Sequence, residues 1–259
     1  MRRAVVAIAV VATLVIAAPT GGAATAKKSS GVRGSVTVLA ASSLTDAFTA
    51  IGKGFERKYP GTHVTLSFSS TATLVTQIQQ GAPADVFASA DAANMQKLVD
   101  GGQVAKGGFS VFARNRLEIA VAPGNPKKIK TLADTLKSGV TLVLCAPEVP
   151  CGKYALQAYA NAGLAPPLVP TGANVKDTLS KVTLGEADAA IVYVTDVKAA
   201  KAQVQGVKIR SSVNVVASYP IAPIVGATNP VAAKAFVRFV ADRPGSGQRT
   251  LRRFGFLAP

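Results

Sequence analysis

Apolar residues near the start of the chain follow two periods, one typical of a strand and one typical of a helix. Val36–Leu39 is a short run rich in β-branched and apolar residues, which favours a buried strand. After it, large apolar residues recur at spacings of four, three, four and four: Leu44, Phe48, Ile51, Phe55 and Tyr59. This spacing predicts one buried face of a helix, which Pro60-Gly61 ends.

The same order of elements recurs along the chain. Alternating apolar residues over Thr62–Phe68 predict a strand, and Leu74, Val75 and Ile78 predict the helix that follows it. Further strands are predicted at Asp85–Ala88, Leu117–Ala122, Val140–Leu144, Ala189–Tyr193, Val207–Val216 (one or two strands) and Ile221–Val225. Further helices are predicted around Met95, Leu98 and Val99, at Leu132–Leu136, around Leu156 and Tyr159, and at Val175–Leu184, Val231–Val240 and Gln248–Phe254.

Strands that alternate with helices in this way predict an α/β fold with mostly parallel sheets built from βαβ units. No long linker separates two independent domains, so two lobes that share the chain fit the pattern best. In such folds a ligand binds outside the carboxyl ends of the strands.

Residues 1–26 have the pattern of an export signal rather than of the folded domain. Arg2 and Arg3 precede the apolar run Ala4–Ala18, and Ala24-Thr25-Ala26 has the small residues of a cleavage site. No cysteine stands beside that site, so we expect an exported protein that is soluble after cleavage and carries no lipid anchor.

Basic residues outnumber acidic ones, and the formal net charge of the chain is +16. Removing Arg2 and Arg3 with the predicted signal leaves 16 − 2 = +14. The Lys and Arg residues are scattered, with the longest basic run at Lys127–Lys130. Together with the predicted export this argues against nucleic acid as the partner, although a surface of this charge can steer anions.

The two cysteines, Cys145 and Cys151, are close in sequence, and an oxidising compartment favours a local disulfide between them. The only histidine is His63, so a metal site of His and Cys ligands is not expected. A secreted hydrolase using serine and His63 is a weak alternative, since no G-x-S-x-G motif is present. No dinucleotide-binding or phosphate-loop motif is present either.

Uncharged hydrogen-bond donors are concentrated where predicted strands turn into helices. The candidates are Ser42 and Ser43, Ser70 and Thr71, the main chain near Cys151 and Val175, and the Tyr193 hydroxyl. Free N–H groups and hydroxyls at helix starts can hold a tetrahedral dianion without a counter-charge. The alternative interpretation is that the serines and threonines only cap helices.

At these residues the chain resembles the extracytoplasmic molybdate-binding proteins of ABC-type importers, which have a type II periplasmic-binding fold. The resemblance covers essentially the whole chain after the predicted signal. Its most specific segments are Ala40–Thr45 (AASSLT), Gly81–Asp91 (GAPADVFASAD), Pro147–Tyr154 (PEVPCGKY), and Ala190–Tyr193 (AIVY) with Asp196.

The resemblance implies a set of ligand-binding residues: Ser43, Thr71, Cys151, Val175 and Tyr193. Ser43, Thr71 and Tyr193 would donate through hydroxyls, and Cys151 and Val175 through main-chain N–H groups. Ser42 and Ser70 are less certain members. Cys151 departs from the family, which often has alanine there, and a disulfide would stiffen its loop.

The resemblance also implies a clamp with the ligand between two lobes. The first lobe would comprise residues 35–114 and 219–259, and the second residues 115–218. The expected ligand is molybdate, and tungstate with it; sulfate or another tetrahedral oxyanion is the alternative. The expected partner is a membrane permease, with the protein a monomer, not an enzyme, and without a cofactor.

Overall fold

The computed structural model describes Met1 and residues 31–259. The predicted signal peptide, residues 1–26, lies outside the described residues except for Met1. The strands are β1 Gly34–Ala41, β2 Thr62–Ser69, β3 Val86–Ala88, β4 Ser110–Val121, β5 Leu142–Cys145, β6 Thr171–Gly172, β7 Ala189–Tyr193, β8 Gln205–Lys208 and β9 Val216–Pro223. The α-helices are α1 Thr45–Lys58, α2 Thr71–Gln79, α3 Ala92–Asp100, α4 Pro150–Asn161, α5 Val175–Thr183, α6 Val194–Ala200, α7 Pro230–Ala241 and α8 Ser246–Phe254.

The strands form one mixed sheet in the order β2-β1-β3-β9-β4-β7-β5-β6, and β8 pairs with β4. β1 is parallel to β2 and β3, and β5 is parallel to β6 and β7. β9 is antiparallel to β3 and β4, and β4 is antiparallel to β7 and β8. The predicted α/β class is confirmed, but the sheet is mixed because β4 and β9 run against the strands beside them.

Strand β4 belongs to both halves of the sheet. Its residues Ser110–Arg116 pair with β9, and its residues Leu117–Val121 pair with β7 and β8. The predicted lobe boundary at residues 114 and 115 lies two residues before this change of partner. The other predicted boundary, at residues 218 and 219, lies inside β9. The lobe boundaries themselves remain a prediction.

Three parts of the element prediction are wrong. β4 begins at Ser110 rather than Leu117, because Arg114, Asn115 and Arg116 interrupt the apolar pattern while the strand continues. The range Val207–Val216, predicted as one or two strands, holds only the end of β8 and the first residue of β9, and the residues between them form a turn and loop. Helix α6 has seven residues, which is too short for an apolar repeat to reveal it.

Aromatic packing fixes helix α1 against the sheet. The Phe48 ring lies 5.7 Å from Phe112 of β4 and 6.1 Å from Phe236 of α7. Phe55 lies 5.2 Å from Phe236 and 5.6 Å from Phe239. Burying each of these side chains contributes about 1.5–3 kcal/mol. The packing therefore holds the start of α1, and the serines before it, in a fixed place.

Four strands lead into the corners predicted to bind a ligand, and β1 and β2 run in the direction opposite to β5 and β7. β1 leads into a short 3-10 turn at Ser42–Leu44 and then α1, and β2 leads into α2. β5 leads through a loop into α4, and β7 leads directly into α6. Within residues 31–259, no helix combines the length and apolar character needed to cross a membrane.

Candidate ligand-binding site

A small cavity lies where these corners meet. Its lining consists of Ala41, Ser42, Ser43, Ser70, Thr71, Ala90, Val149, Pro150, Cys151, Asn174, Val175 and Tyr193. All seven residues predicted for the site are among them, and none of the twelve carries a charge. The cavity volume is about 10 Å³, against roughly 300–1,000 Å³ for pockets that hold organic ligands. Its size and lining suit a ligand of a few atoms held by neutral donors.

Thr71 is the first residue of α2, and its hydroxyl proton has no acceptor within the part of the chain that the structure describes. The Ala90 N–H donates to Thr71 Oγ1 at 3.1 Å. Because an amide N–H is a donor only, the Thr71 oxygen accepts in this bond. The Thr71 proton is then available to a group in the cavity.

The neighbouring serines have different partners. Ser70 caps α2, since its Oγ accepts from Thr73 N at 3.1 Å and also bonds Thr73 Oγ1 at 2.7 Å. The capping interpretation therefore fits Ser70. It does not fit Ser42 and Ser43, because the 3-10 turn that they begin and helix α1 have no side-chain cap. Ser43 Oγ instead bonds the hydroxyl of Tyr219 at 2.9 Å.

Helix α5 begins with one N–H group free and the rest paired. The side chain of Asn174 accepts from Lys176 N at 3.0 Å and from Asp177 N at 3.2 Å. The Asn174 carbonyl accepts from Thr178 N at 2.9 Å. Val175 N is the remaining donor of the first turn, and Val175 lines the cavity. The helix start thus presents one main-chain donor to this space.

Helix α4 presents a second main-chain donor. Pro150 is its first residue, and its first main-chain bond runs from Lys153 N to Val149 O at 3.0 Å. The Cys151 N–H precedes that bond and has no helical partner. The structure joins Cys151 and Cys145 in a disulfide with Cα atoms 5.7 Å apart. This bond ties the start of α4 to the end of β5.

Tyr193 is buried in the cavity wall, and its hydroxyl lacks a hydrogen-bond partner within the described part of the chain. A buried hydroxyl without a partner costs about 1–3 kcal/mol, which makes Tyr193 a candidate donor to a group in the cavity. Burial raises the pKa of Tyr193 well above 10.0, with smaller contributions from nearby Tyr219 and Tyr154. The group is therefore a proton donor at any physiological pH.

Carboxylates lie behind the cavity rather than in it. Asp196 is buried and accepts from Tyr193 N at 3.1 Å, which fixes the main chain at Tyr193. Burial raises the pKa of Asp196 to about 7, and Lys176 opposes that rise. Lys176 Nζ lies 3.7 Å from Asp196 and 2.7 Å from Asp46 of α1. Lys176 thereby offsets negative charge close to the site.

Sequence reasoning missed Tyr219, Asn115 and Thr195, which lie directly behind Ser43. Asn115 Nδ2 lies 2.8 Å from Thr195 Oγ1 and 3.5 Å from the Tyr219 hydroxyl. These residues come from β4, α6 and β9, and no local motif joins them. No sequence signal pointed to Asn115, because the strand was predicted to begin at Leu117 and Asn115 lies between two arginines before it.

His63 is far from the cavity. It is 75% exposed and lies near the start of β2, with Nδ1 3.4 Å from Glu56. Ser69 lies six positions further along the strand, at its other end, a distance of about 20 Å. It therefore cannot act as a base for the cavity serines. Across the described residues, no group of three His, Cys, Asp or Glu side chains is placed to hold a metal ion.

An α/β fold with neutral donors around a small cavity defines a protein that binds a solute. The model of the bacterial extracellular solute-binding protein family matches residues 36–257, and the chain belongs to this family. Its members bind their solutes outside the cytoplasm and are not enzymes.

Related solute-binding proteins and a solved structure are consistent with this family. The chain is 40% identical over 225 residues to the molybdate-binding protein ModA of Mycobacterium tuberculosis, covering 87% of this chain and 85% of that protein. It is 33% identical to ModA of Escherichia coli over 237 residues, covering 86% and 89%. The structure resembles the periplasmic molybdate-binding protein of Azotobacter vinelandii with a TM-score of 0.76 at 19% identity, covering 86% and 99%.

Proposed function

We propose that this protein captures molybdate, and tungstate with it, outside the cytoplasmic membrane and delivers it to the permease of an ABC importer. The observation that carries the proposal is the set of neutral donors around one small cavity: the hydroxyls of Ser43, Thr71 and Tyr193 and the N–H groups of Cys151 and Val175. Relatives that are 33–40% identical and named as molybdate-binding support the choice of ligand.

The chemistry of these donors selects an anion that only accepts hydrogen bonds. Molybdate is a tetrahedral dianion with four acceptor oxygens, and the five donors offer at least one bond to each. No counter-charge is required, because helix N-termini and hydroxyl dipoles stabilise the anion. A protonated anion would place its own donor against these donors, which disfavours its binding.

The proposed cycle needs two lobes that close on the anion. We place them at residues 35–114 with 219–259, and at residues 115–218, with β4 and β9 passing between them. The protein acts as a monomer that is exported with a signal peptide over residues 1–26. Molybdate is the cargo in this scheme, and no resident cofactor takes part.

Titration calorimetry of residues 27–259 at fixed pH and salt tests the proposal with molybdate, tungstate, sulfate and phosphate. The expected result is tight one-to-one binding of the first two and weak binding of the others. Ser43→Ala should weaken molybdate binding by tenfold or more, since a hydrogen bond to a charged group contributes about 1.5–3 kcal/mol. Sulfate binding as tight as molybdate binding would overturn the named ligand, and no oxyanion binding would overturn the function.

A further inference from the structure

Four polar side chains form one chain of hydrogen bonds that begins in the cavity and ends inside the protein: Ser43, Tyr219, Asn115 and Thr195. All four are buried, and only Ser43 lines the cavity. Tyr219 is the central member, with its ring packed 6.0 Å from Tyr193 and 5.4 Å from Phe256. Buried polar groups in such a chain have few alternative partners, so the direction of each bond can be derived.

The directions of these hydrogen bonds can be derived starting from a group that can only donate. The main-chain N–H of Arg116 donates to Asn115 Oδ1 at 2.9 Å, so this atom of the side-chain amide is the oxygen. The other end of the amide is then Nδ2, and it faces Thr195 Oγ1 and the Tyr219 hydroxyl. Because Nδ2 is a donor only, the Tyr219 oxygen accepts from Asn115.

The Tyr219 proton must therefore point the other way. Burial raises the pKa of Tyr219 above 10.0, so the hydroxyl keeps its proton. Its hydrogen-bond partners within residues 31–259 are Asn115, which cannot accept through Nδ2, and Ser43, whereas the neighbouring Tyr193 hydroxyl makes no hydrogen bond of suitable geometry. Tyr219 consequently donates to Ser43 Oγ. Ser43 Oγ therefore accepts a hydrogen bond from Tyr219, which does not line the cavity, and the Ser43 proton is available to a group in the cavity.

We propose that Tyr219 and Asn115 are positioning residues that direct the Ser43 proton toward the bound anion. The inference rests on the proposed function, and it adds an explanation of what orients the Ser43 hydroxyl. Without Tyr219, the Ser43 hydroxyl would rotate freely and would itself accept a bond from a protonated ligand. The hydroxyl chain thus contributes to both affinity and selectivity.

A double-mutant cycle on molybdate affinity tests the inference. The variants are Tyr219→Phe, Ser43→Ala and the combination, each titrated beside the unchanged protein. We expect Tyr219→Phe to weaken binding about tenfold in the presence of Ser43 and less than twofold in the Ser43→Ala background. A loss of equal size in both backgrounds, or no loss in either, would overturn the positioning role.

Tyr159→Phe is the matched control. Tyr159 is also fully buried, and its hydroxyl bonds Thr135 Oγ1 at 2.6 Å, away from the cavity lining. We expect this variant to keep its molybdate affinity, and a tenfold loss here would show that any buried tyrosine hydroxyl matters equally. Thermal unfolding without ligand establishes that each variant is folded.

Asn115→Ala supplies a second test that leaves Tyr219 intact. It replaces Tyr219→Phe in the double-mutant cycle if that variant does not fold. It should weaken binding by a few-fold with Ser43 present and have no further effect in the Ser43→Ala background. Equal losses in both backgrounds would contradict the inference.

Molybdate binding by the unchanged protein distinguishes failure of the proposed function from failure of this inference. If it does not bind molybdate, the proposed function fails. If it binds while the Tyr219 and Asn115 variants bind equally well, only the inference about the hydroxyl chain fails.

Discussion

The two sides of the cavity provide donors in different ways. On one side, Ser43 and Thr71 offer side-chain hydroxyls after β1 and β2. On the other, Cys151 and Val175 offer main-chain N–H groups at the starts of α4 and α5. A hydroxyl proton rotates about its C–O bond, whereas the direction of an N–H group is set by the helix. The hydroxyl side therefore needs supporting side chains behind it, and the main-chain side needs only a well-formed helix start.

Val175→Pro should have the largest effect, because it removes a fixed donor without disturbing α5. Proline is well tolerated at the first position of a helix, and the extended conformation of Asn174 suits a following proline. Loss of one charge-assisted bond in a desolvated site should weaken molybdate binding roughly 100-fold in calorimetry.

Ala92→Pro is the matched control for that variant. Ala92 is the first residue of α3, follows the extended Asp91, and does not line the cavity. It should leave affinity unchanged. Unchanged affinity in Val175→Pro would contradict the assigned main-chain donor.

Tyr193→Phe should weaken molybdate binding about 30-fold and leave the ligand-free protein as stable as before, or more stable. The reason is that the Tyr193 hydroxyl is buried without a partner among residues 31–259, so its removal leaves no other group there unpaired. Tyr159→Phe should behave in the opposite way, losing about 1 kcal/mol of stability and no affinity, because it breaks a buried hydrogen bond. Calorimetry and thermal unfolding together separate the two, and a destabilised Tyr193→Phe with normal affinity would refute this assignment.

Ser70→Ala should have the smallest effect on binding, below threefold, although Ser70 lies beside Thr71 in the cavity wall. Its oxygen is engaged in capping α2, so the variant should lose about 1 kcal/mol of stability in denaturant unfolding. Thr71→Ala should instead lose tenfold or more in affinity. Equal affinity losses in the two variants would mean that both hydroxyls reach the anion.

The sequence predicted those parts of the fold and site that depend on local patterns. The apolar face from Leu44 to Phe55 and the strand-to-helix corners were readable because helix and strand periods differ. The seven cavity residues were found because hydroxyls and helix starts recur at those corners, and the family resemblance selected among them.

The rest depends on contacts between distant parts of the chain. Ser43 and Tyr219 are 176 residues apart, and Asn115 and Tyr219 are 104 apart, so no spacing rule connects them. The mixed sheet depends on β9 lying between β3 and β4. Local propensity predicts that β9 is a strand, but it does not predict which strands lie beside it. Which serine caps a helix and which faces the cavity was likewise decided by packing.

The uncharged lining of the cavity has a consequence for the kinetics of binding. The chain carries a formal net charge of +16, so added salt should slow the arrival of an anion by screening long-range attraction. Inside the cavity, whose lining includes no Lys or Arg side chain, the proposed anion would contact dipoles, and screening by ions would have little effect there. Ionic strength should therefore alter the association rate constant while the residence time of the bound anion stays nearly constant.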